Sequence, residues 1–266
     1  MRYLYPDGKE KALTFSYDDG QEYDRKLVGI LNKYGLKGTF HLNSGTLGGT
    51  TGEEDYVAKA EVATLYAGHE VACHGVEHKN LPILTEDMIC REIYEDRRAL
   101  EVLTGKMVRG LSYAFGTYSP EIIRIARAGG IKYSRTVNST GGFFPPVDFM
   151  AWHPTCHHSG ALELADQFLN VPDYVELPLM YVWGHSFEFG RSKDWSIIEA
   201  LGEKLTGKDN IWYATNGEIC EYLSAVRSLE YTIDKKTVYN PTAISVWVKA
   251  GEDILEIKSG ETRKIG

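Results

Sequence analysis

The chain of 266 residues is 43% hydrophobic and 25% charged, the balance of a globular protein long enough to bury about three quarters of its unfolded surface in one large domain. A net charge of −8 argues against nucleic acid or an anionic membrane as partner, and no cluster of Lys and Arg restores either. No stretch approaches the ~18 apolar residues of a membrane span.

In chain order, strand-like and helix-like stretches alternate. Strands read at 12–17, 38–42, 70–73, 107–113, 131–136, 176–183 and 211–214, with helices at 24–34, 61–67, 86–103, 120–128, 160–169, 195–205 and 218–226. Such alternation predicts an α/β fold on a parallel sheet, without distinguishing a barrel from an open sheet. Helix ends carry ordinary punctuation, such as Ser119 before Pro120 and the Gly129-Gly130 stop. From residue 229 the pattern changes to short β-branched runs at 231–234, 237–239, 243–249, 254–258 and 262–265, with turns at 234–236 and 249–253. The expected division is a main domain over 1–228 and a small antiparallel β appendage over 229–266, whose simplest task is to cover the bottom or an open edge.

Four cysteines, Cys73, Cys90, Cys156 and Cys220, show no C-x-x-C spacing, and the N-terminus carries no apolar leader. Reduced thiols in the cytoplasm are the expectation, although a trimmed secreted protein would read the same way.

Two motifs carry chemistry. Asp18 and Asp19 end an apolar strand in Leu13-Thr-Phe-Ser-Tyr-Asp-Asp-Gly20, where adjacent carboxylates repel unless a cation employs them. His74-Gly-Val-Glu-His78 follows the short strand Val71-Ala-Cys73, and its i, i+4 spacing is expected to put two imidazoles on one side of a helical turn. One Asp with two His makes a facial ligand set that leaves positions open for water and substrate, as a catalytic metal requires. Both motifs fall at the C-terminal ends of strands, where parallel α/β sheets place their sites. Strand alternation puts Thr14, Ser16 and Asp18 on one face and Leu13, Phe15 and Tyr17 on the other, and makes Cys73 packing rather than a ligand. An iron oxygenase centre uses a similar triad, but in β-sandwich barrels, which the strand–helix alternation opposes.

Ser16-Tyr-Asp-Asp-Gly20 resembles the T-F-D-D-G signature, and His74 to His78 the H-[ST]-x-x-H signature, of the polysaccharide deacetylase family (NodB homology, carbohydrate esterase family 4). The resemblance implies a distorted (β/α)7 barrel and a hydrolase that removes N-acetyl groups from amino sugars of an oligo- or polysaccharide. It implies a divalent metal, Zn²⁺ first and Co²⁺, Ni²⁺ or Fe²⁺ next, on Asp19, His74 and His78, with Asp18 as general base. Ser112-Tyr-Ala-Phe-Gly116 aligns with the family's R-x-P-[YF]-G, so Phe115 and Gly116 match its oxyanion loop while Ser112 and Ala114 depart from it. The Arg missing there is expected to be replaced by Arg135, at the end of the fifth strand, in place of the family's fourth motif D-x-x-D-W; Arg109, at the wrong end of its strand, is the alternative. Tyr181-Val-Trp-Gly-His185 resembles the fifth motif, L-x-H, and implies His185 as general acid with Trp183 as a wall for a sugar ring.

Further candidates for the substrate cleft are Tyr113 and one of the pair His157 and His158, which lie in a long connection on the strands' C-terminal side. Other readings stay open on sequence grounds: an O-acetyl xylan esterase, a small-amide hydrolase, or a carbohydrate-binding protein whose catalysis has decayed.

Overall fold

A computed structural model describes residues 1–265. The chain opens with β1 (Arg2–Leu4), followed by β2 (Lys11–Asp19), α1 (Asp24–Lys33), β3 (Gly38–Leu42), α2 (Val62–Leu65), β4 (Glu70–Cys73), α3 (Glu86–Thr104), β5 (Gly110–Ser112) and α4 (Pro120–Ala128). It continues through β6 (Tyr133–Arg135), β7 (Cys156–His157), α5 (Ala161–Leu169), β8 (Leu179–His185), α6 (Ser186–Ser192), α7 (Ser196–Leu205), β9 (Ile211–Tyr213) and α8 (Asn216–Arg227). Five short strands complete it: β10 (Glu230–Tyr231), β11 (Thr237–Tyr239), β12 (Val246–Ala250), β13 (Asp253–Ile257) and β14 (Thr262–Lys264).

The main sheet runs β6-β5-β4-β3-β2-β8-β7, with β9 beside the start of β2, and its pairings are parallel. A parallel bridge between Arg135 and Trp152 ties the β6 edge to the segment that leads into β7, so the sheet curls toward closure. This is the parallel α/β sheet the alternation anticipates, curled as the resemblance implies, and parallel strands bring every C-terminal end to one mouth. β2 is buried over Lys11–Asp18 because neighbours flank both its edges. Its odd-numbered Leu13, Phe15 and Tyr17 join Leu27 and Leu31 of α1 and Cys73 in the main hydrophobic cluster. Its even-numbered Thr14 and Asp18 bond instead to Asn216 and to Ser112 and Arg135.

Observed strands differ from expectation mainly in length. The fourth expected strand, read from 107, is hydrogen-bonded only over Gly110–Ser112 (β5), whereas β8 runs two residues further than read and ends on His185. Sequence reading missed β1, the two-residue β7 and helix α6.

The C-terminal strands form two small sheets, β1-β12-β13 and β10-β11-β14. Val238, Val246, Val248 and Ile257 pack with Tyr5, Ala12 and the α8 residues Ile219, Tyr222 and Leu223 in a second cluster, so these strands cover α8 and the N-terminal end of β2. All four cysteines are free. Among the described residues no helix is long and apolar enough to cross a membrane. A cavity of about 490 Å³ opens at the N-terminal ends of β3 to β6, opposite the mouth. Among its charged groups Lys37 pairs with Glu218 and Arg109 with Glu221, which places Arg109 away from Asp18.

Candidate active site

The end of β2 sets the centre of the mouth. Asp18 continues the strand, whereas Asp19 turns into the left-handed region at φ 79° and Gly20 follows at φ 69°. This break aims consecutive carboxylates in different directions. A non-glycine residue held at positive φ costs of order 1–3 kcal/mol, and such strain concentrates where function overrides local preference. His78 carries the same signature at φ 53°.

The loop after β4 is clamped from both sides. Asp96 on α3 accepts the backbone N–H groups of Ser44, His74 and Gly75 at 2.8, 3.0 and 3.0 Å. Asn43, beyond β3, donates its amide to the carbonyls of His74 and Gly75, both at 2.8 Å. Glu92 accepts the Glu77 N–H at 2.9 Å. Burial raises the Asp96 carboxyl to about 6, against the pull of those donors. None of these clamps was anticipated, because their partners lie tens of residues away along the chain.

Held in this way, His74 presents Nδ1 to the Ser112 carbonyl at 2.9 Å. A carbonyl only accepts, so the proton sits on Nδ1 and the Nε2 lone pair faces the mouth. That Nε2 lies 3.5 Å from Asp19 Oδ1, and His78 Nε2 lies 3.7 Å from the same oxygen. Ligands about 2.1 Å from one tetrahedral ion stand roughly 3.4 Å apart. The three donor atoms, all within 4.8 Å of one another, therefore fit a single divalent ion, and the His74 tautomer leaves the required lone pair free.

Asp18 is 3% exposed and Arg135 is fully buried. Arg135 donates to Asp18 Oδ2 and to the Thr136 carbonyl, while Ser112 Oγ donates to Oδ1 at 3.1 Å. Burial alone would raise the Asp18 carboxyl, but Arg135 first, then His74, His41 and His185, hold it well below the carboxylate range. The geometry explains how the guanidinium changes strand: Ser112 and Arg135 are register partners across β5 and β6, about 4.8 Å apart. A long side chain from the neighbouring strand reaches the carboxylate that a residue at 112 would otherwise meet. The Arg135 guanidinium also lies 4.6 Å from the Trp183 ring centre, which steadies both planes.

In the 112–116 loop Phe115 adopts φ 60° and Gly116 φ 68°. The Gly116 N–H donates to the Tyr113 carbonyl at 2.8 Å, so it is spent within the turn, and a Cβ there would collide with Val137 at 2.3 Å. Gly116 shapes the loop, with its N–H engaged inside the turn. Among the described residues the Phe115 N–H has no acceptor, and its exposed ring packs edge-on to His78 with centres 4.6 Å apart. Tyr113 does not line the cleft, contrary to expectation. It is 1% exposed, donates to the Met150 carbonyl at 2.8 Å and stacks on Tyr118, because alternation turns it outward toward the helices.

His185 pairs with Asp18 across β2 and β8. Its Nδ1 lies 2.7 Å from Glu188 Oε1. Burial lowers its pKa, but Glu188 and then Asp18 and Asp19 outweigh that and raise it above the ordinary imidazole value. Glu188, which sequence reasoning missed, also meets His157 Nε2 at 3.2 Å and His158 Nε2 at 3.3 Å. Its only sequence trace is the His185-x-x-Glu188 spacing, an ordinary sight on surface helices. His157 edges against Trp183 with ring centres 5.1 Å apart, but both its nitrogens are engaged, with Ser159 and Glu188. The expected direct substrate contact thus loses its polar atoms to the internal network.

The fold is a curled parallel α/β sheet whose C-terminal mouth gathers carboxylates and imidazoles. The family model described as polysaccharide deacetylase matches residues 5–134, which carry both motifs, and over this stretch the chain has the polysaccharide deacetylase sequence pattern. Solved structures share the fold. A candidate polysaccharide deacetylase from Mycobacterium smegmatis superposes with TM-score 0.62 at 20% identity, over 85% of this chain and 95% of that one. The Xyl-CE4 domain of a multidomain xylanase from the hindgut metagenome of Trinervitermes trinervoides gives 0.55 at 17%, over 84% and 96%. A family 4 carbohydrate esterase from Streptomyces lividans, in complex with acetate, gives 0.51 at 13%, over 76% and 90%. No curated protein matches the sequence.

Proposed function

We propose that the protein is a metal-dependent hydrolase that removes N-acetyl groups from amino sugars of an oligo- or polysaccharide. One observation carries the reading: Asp19, His74 and His78 converge three donor atoms within 4.8 Å, directly beside the buried, ionised Asp18. A divalent ion on these three residues, Zn²⁺ first with Co²⁺, Ni²⁺ or Fe²⁺ accommodated, would polarise the acetyl carbonyl and lower the pKa of a bound water from about 15.7 toward ~7.

The chain's own groups supply the rest. Asp18, held below the ordinary carboxylate range by Arg135, accepts the proton of the attacking water, with Arg135 and Ser112 fixing its two oxygens. As the water oxygen bonds to the acetyl carbon, charge gathers on the carbonyl oxygen, where the free Phe115 N–H donates; such a donor contributes roughly 3–4 kcal/mol. The C–N bond then breaks and acetate leaves. An amine departs poorly without a proton, which His185 delivers from Nε2. Trp183, braced by Arg135, and the exposed Phe115 ring offer flat apolar faces to a sugar.

The test is acetate release from N-acetylated chitooligosaccharides and from O-acetylated xylan, with and without chelator. Chelator-sensitive release from the former is the expected outcome. Release from xylan alone would make the protein an esterase, and metal-dependent sugar binding without acetate would make it a binder.

A further inference from the structure

Glu188 collects three imidazoles, and for His157 a second partner on the ring decides where its proton lies. His157 Nδ1 accepts the backbone N–H of Ser159 at 3.3 Å, so its proton sits on Nε2 and points to Glu188 Oε1 at 3.2 Å. His158 is buried, and its ring lies so close over Gly184 that a Cβ there would approach Nδ1 to 2.0 Å. It stacks between Tyr17 and Phe189, with Nε2 directed at Oε2. His185 completes the set with Nδ1 at 2.7 Å from Oε1. His157, His185 and Glu188 are close enough to hold an ion. A ring whose Nδ1 lone pair is taken by an N–H and whose Nε2 is protonated has no lone pair left to give, so the Ser159 contact makes this a cluster of donors.

We propose that Glu188 is the positioning residue for His185: braced by the N–H groups of His157 and His158, its Oε1 holds His185 Nδ1–H and so keeps Nε2 turned to the cleft beside Asp18. The placement follows from local structure. β8 ends at His185, α6 begins at Ser186, and the i, i+3 relation returns Glu188 beneath the ring. The charged and titratable groups facing His185 are Glu188 from α6, Asp18 and Asp19 from β2, His157 and His158 from the β7 segment, and His78 from the loop after β4. The role rests on the reading of His185 as general acid, but its geometry does not.

The test separates the two. Imidazole ¹⁵N spectra of the unmutated protein should show neutral His157 and His158 protonated at Nε2 and His185 at Nδ1. A neutral His185 protonated at Nε2 overturns the proposal whatever the variants do. In Glu188→Ala, kcat should fall about 10- to 100-fold while KM changes little, and the His185 titration should move down. Glu188→Gln, which keeps an acceptor without the charge, should recover part of the rate but not the titration. An unshifted titration in either folded variant, or a second zinc per chain lost on Glu188→Gln, overturns the proposal. Absence of acetate release by the zinc-loaded wild type would instead sink the deacetylase reading and leave the His185 tautomer standing.

Discussion

Asp18 and Glu188 are both carboxylates ringed by imidazole nitrogens at the same end of the sheet, yet they face opposite chemistries. Around Asp18 and Asp19 the nearest His74 nitrogen is bare, because its Nδ1–H is committed to the Ser112 carbonyl. Around Glu188 the His157 nitrogen carries a proton, because its Nδ1 accepts a backbone N–H from Ser159. Identical residue types thus present a lone pair in one place and a hydrogen-bond donor in the other. The contacts on the far side of each ring make the difference.

The harshest way to break this contrast is to remove a ligand. His74→Ala should abolish stoichiometric zinc, measured by elemental analysis after loading, and reduce acetate release about a thousand-fold or more; retained zinc would show that the ion sits elsewhere.

Arg135→Ala comes next. It should leave zinc content unchanged while cutting turnover by about 100-fold. Stranding the buried Asp18 charge should cost about 3–5 kcal/mol of folding stability, read as a fall of roughly 10 °C in melting temperature. Near-normal activity would reject the pairing as a functional one.

Asp96→Asn tests the clamp that orients the His74 ligand. Asparagine cannot accept all three N–H bonds, and zinc affinity measured by chelator competition should weaken about 10- to 100-fold.

A gentler probe is pH. His185 has its pKa raised above the ordinary value, so its acid form survives to higher pH than a free imidazole, and kcat should decline only as pH climbs past that raised value. The linked stability has the same sign: it is fully present below the unfolded value near 6.5 and is lost as pH rises through the folded one. A kcat that rises with pH across this range would exclude His185 as acid.

Smallest is Ser112→Ala, which removes one bond to Asp18 Oδ1. A neutral hydroxyl contributes about 1 kcal/mol, so a roughly fivefold loss of rate is expected in the acetate assay, and a loss as large as that of Arg135→Ala would shift the main restraint from the guanidinium to the hydroxyl.

By itself the sequence determined which side chains reach the mouth from strand ends. Period-two alternation sent Asp18 inward and Tyr17 outward, and the spacing of His74 and His78 brought the two imidazoles together, although on a loop with His78 at φ 53° rather than on the expected helical turn. Even the move of a guanidinium to Arg135 was legible, because motif position and strand order sufficed to propose it. Tertiary structure alone decided how those side chains are used. Register set Ser112 opposite Arg135, positive φ at Asp19 and Phe115 aimed a carboxylate and an N–H, and the turn consumed the Gly116 N–H. Asp96, Asn43 and Glu188 entered through contacts between distant segments or through a helix read only as loop. The physical reason is that a motif specifies donors by type, whereas proton location and lone-pair direction depend on the second partner of each group, and that partner is chosen by packing.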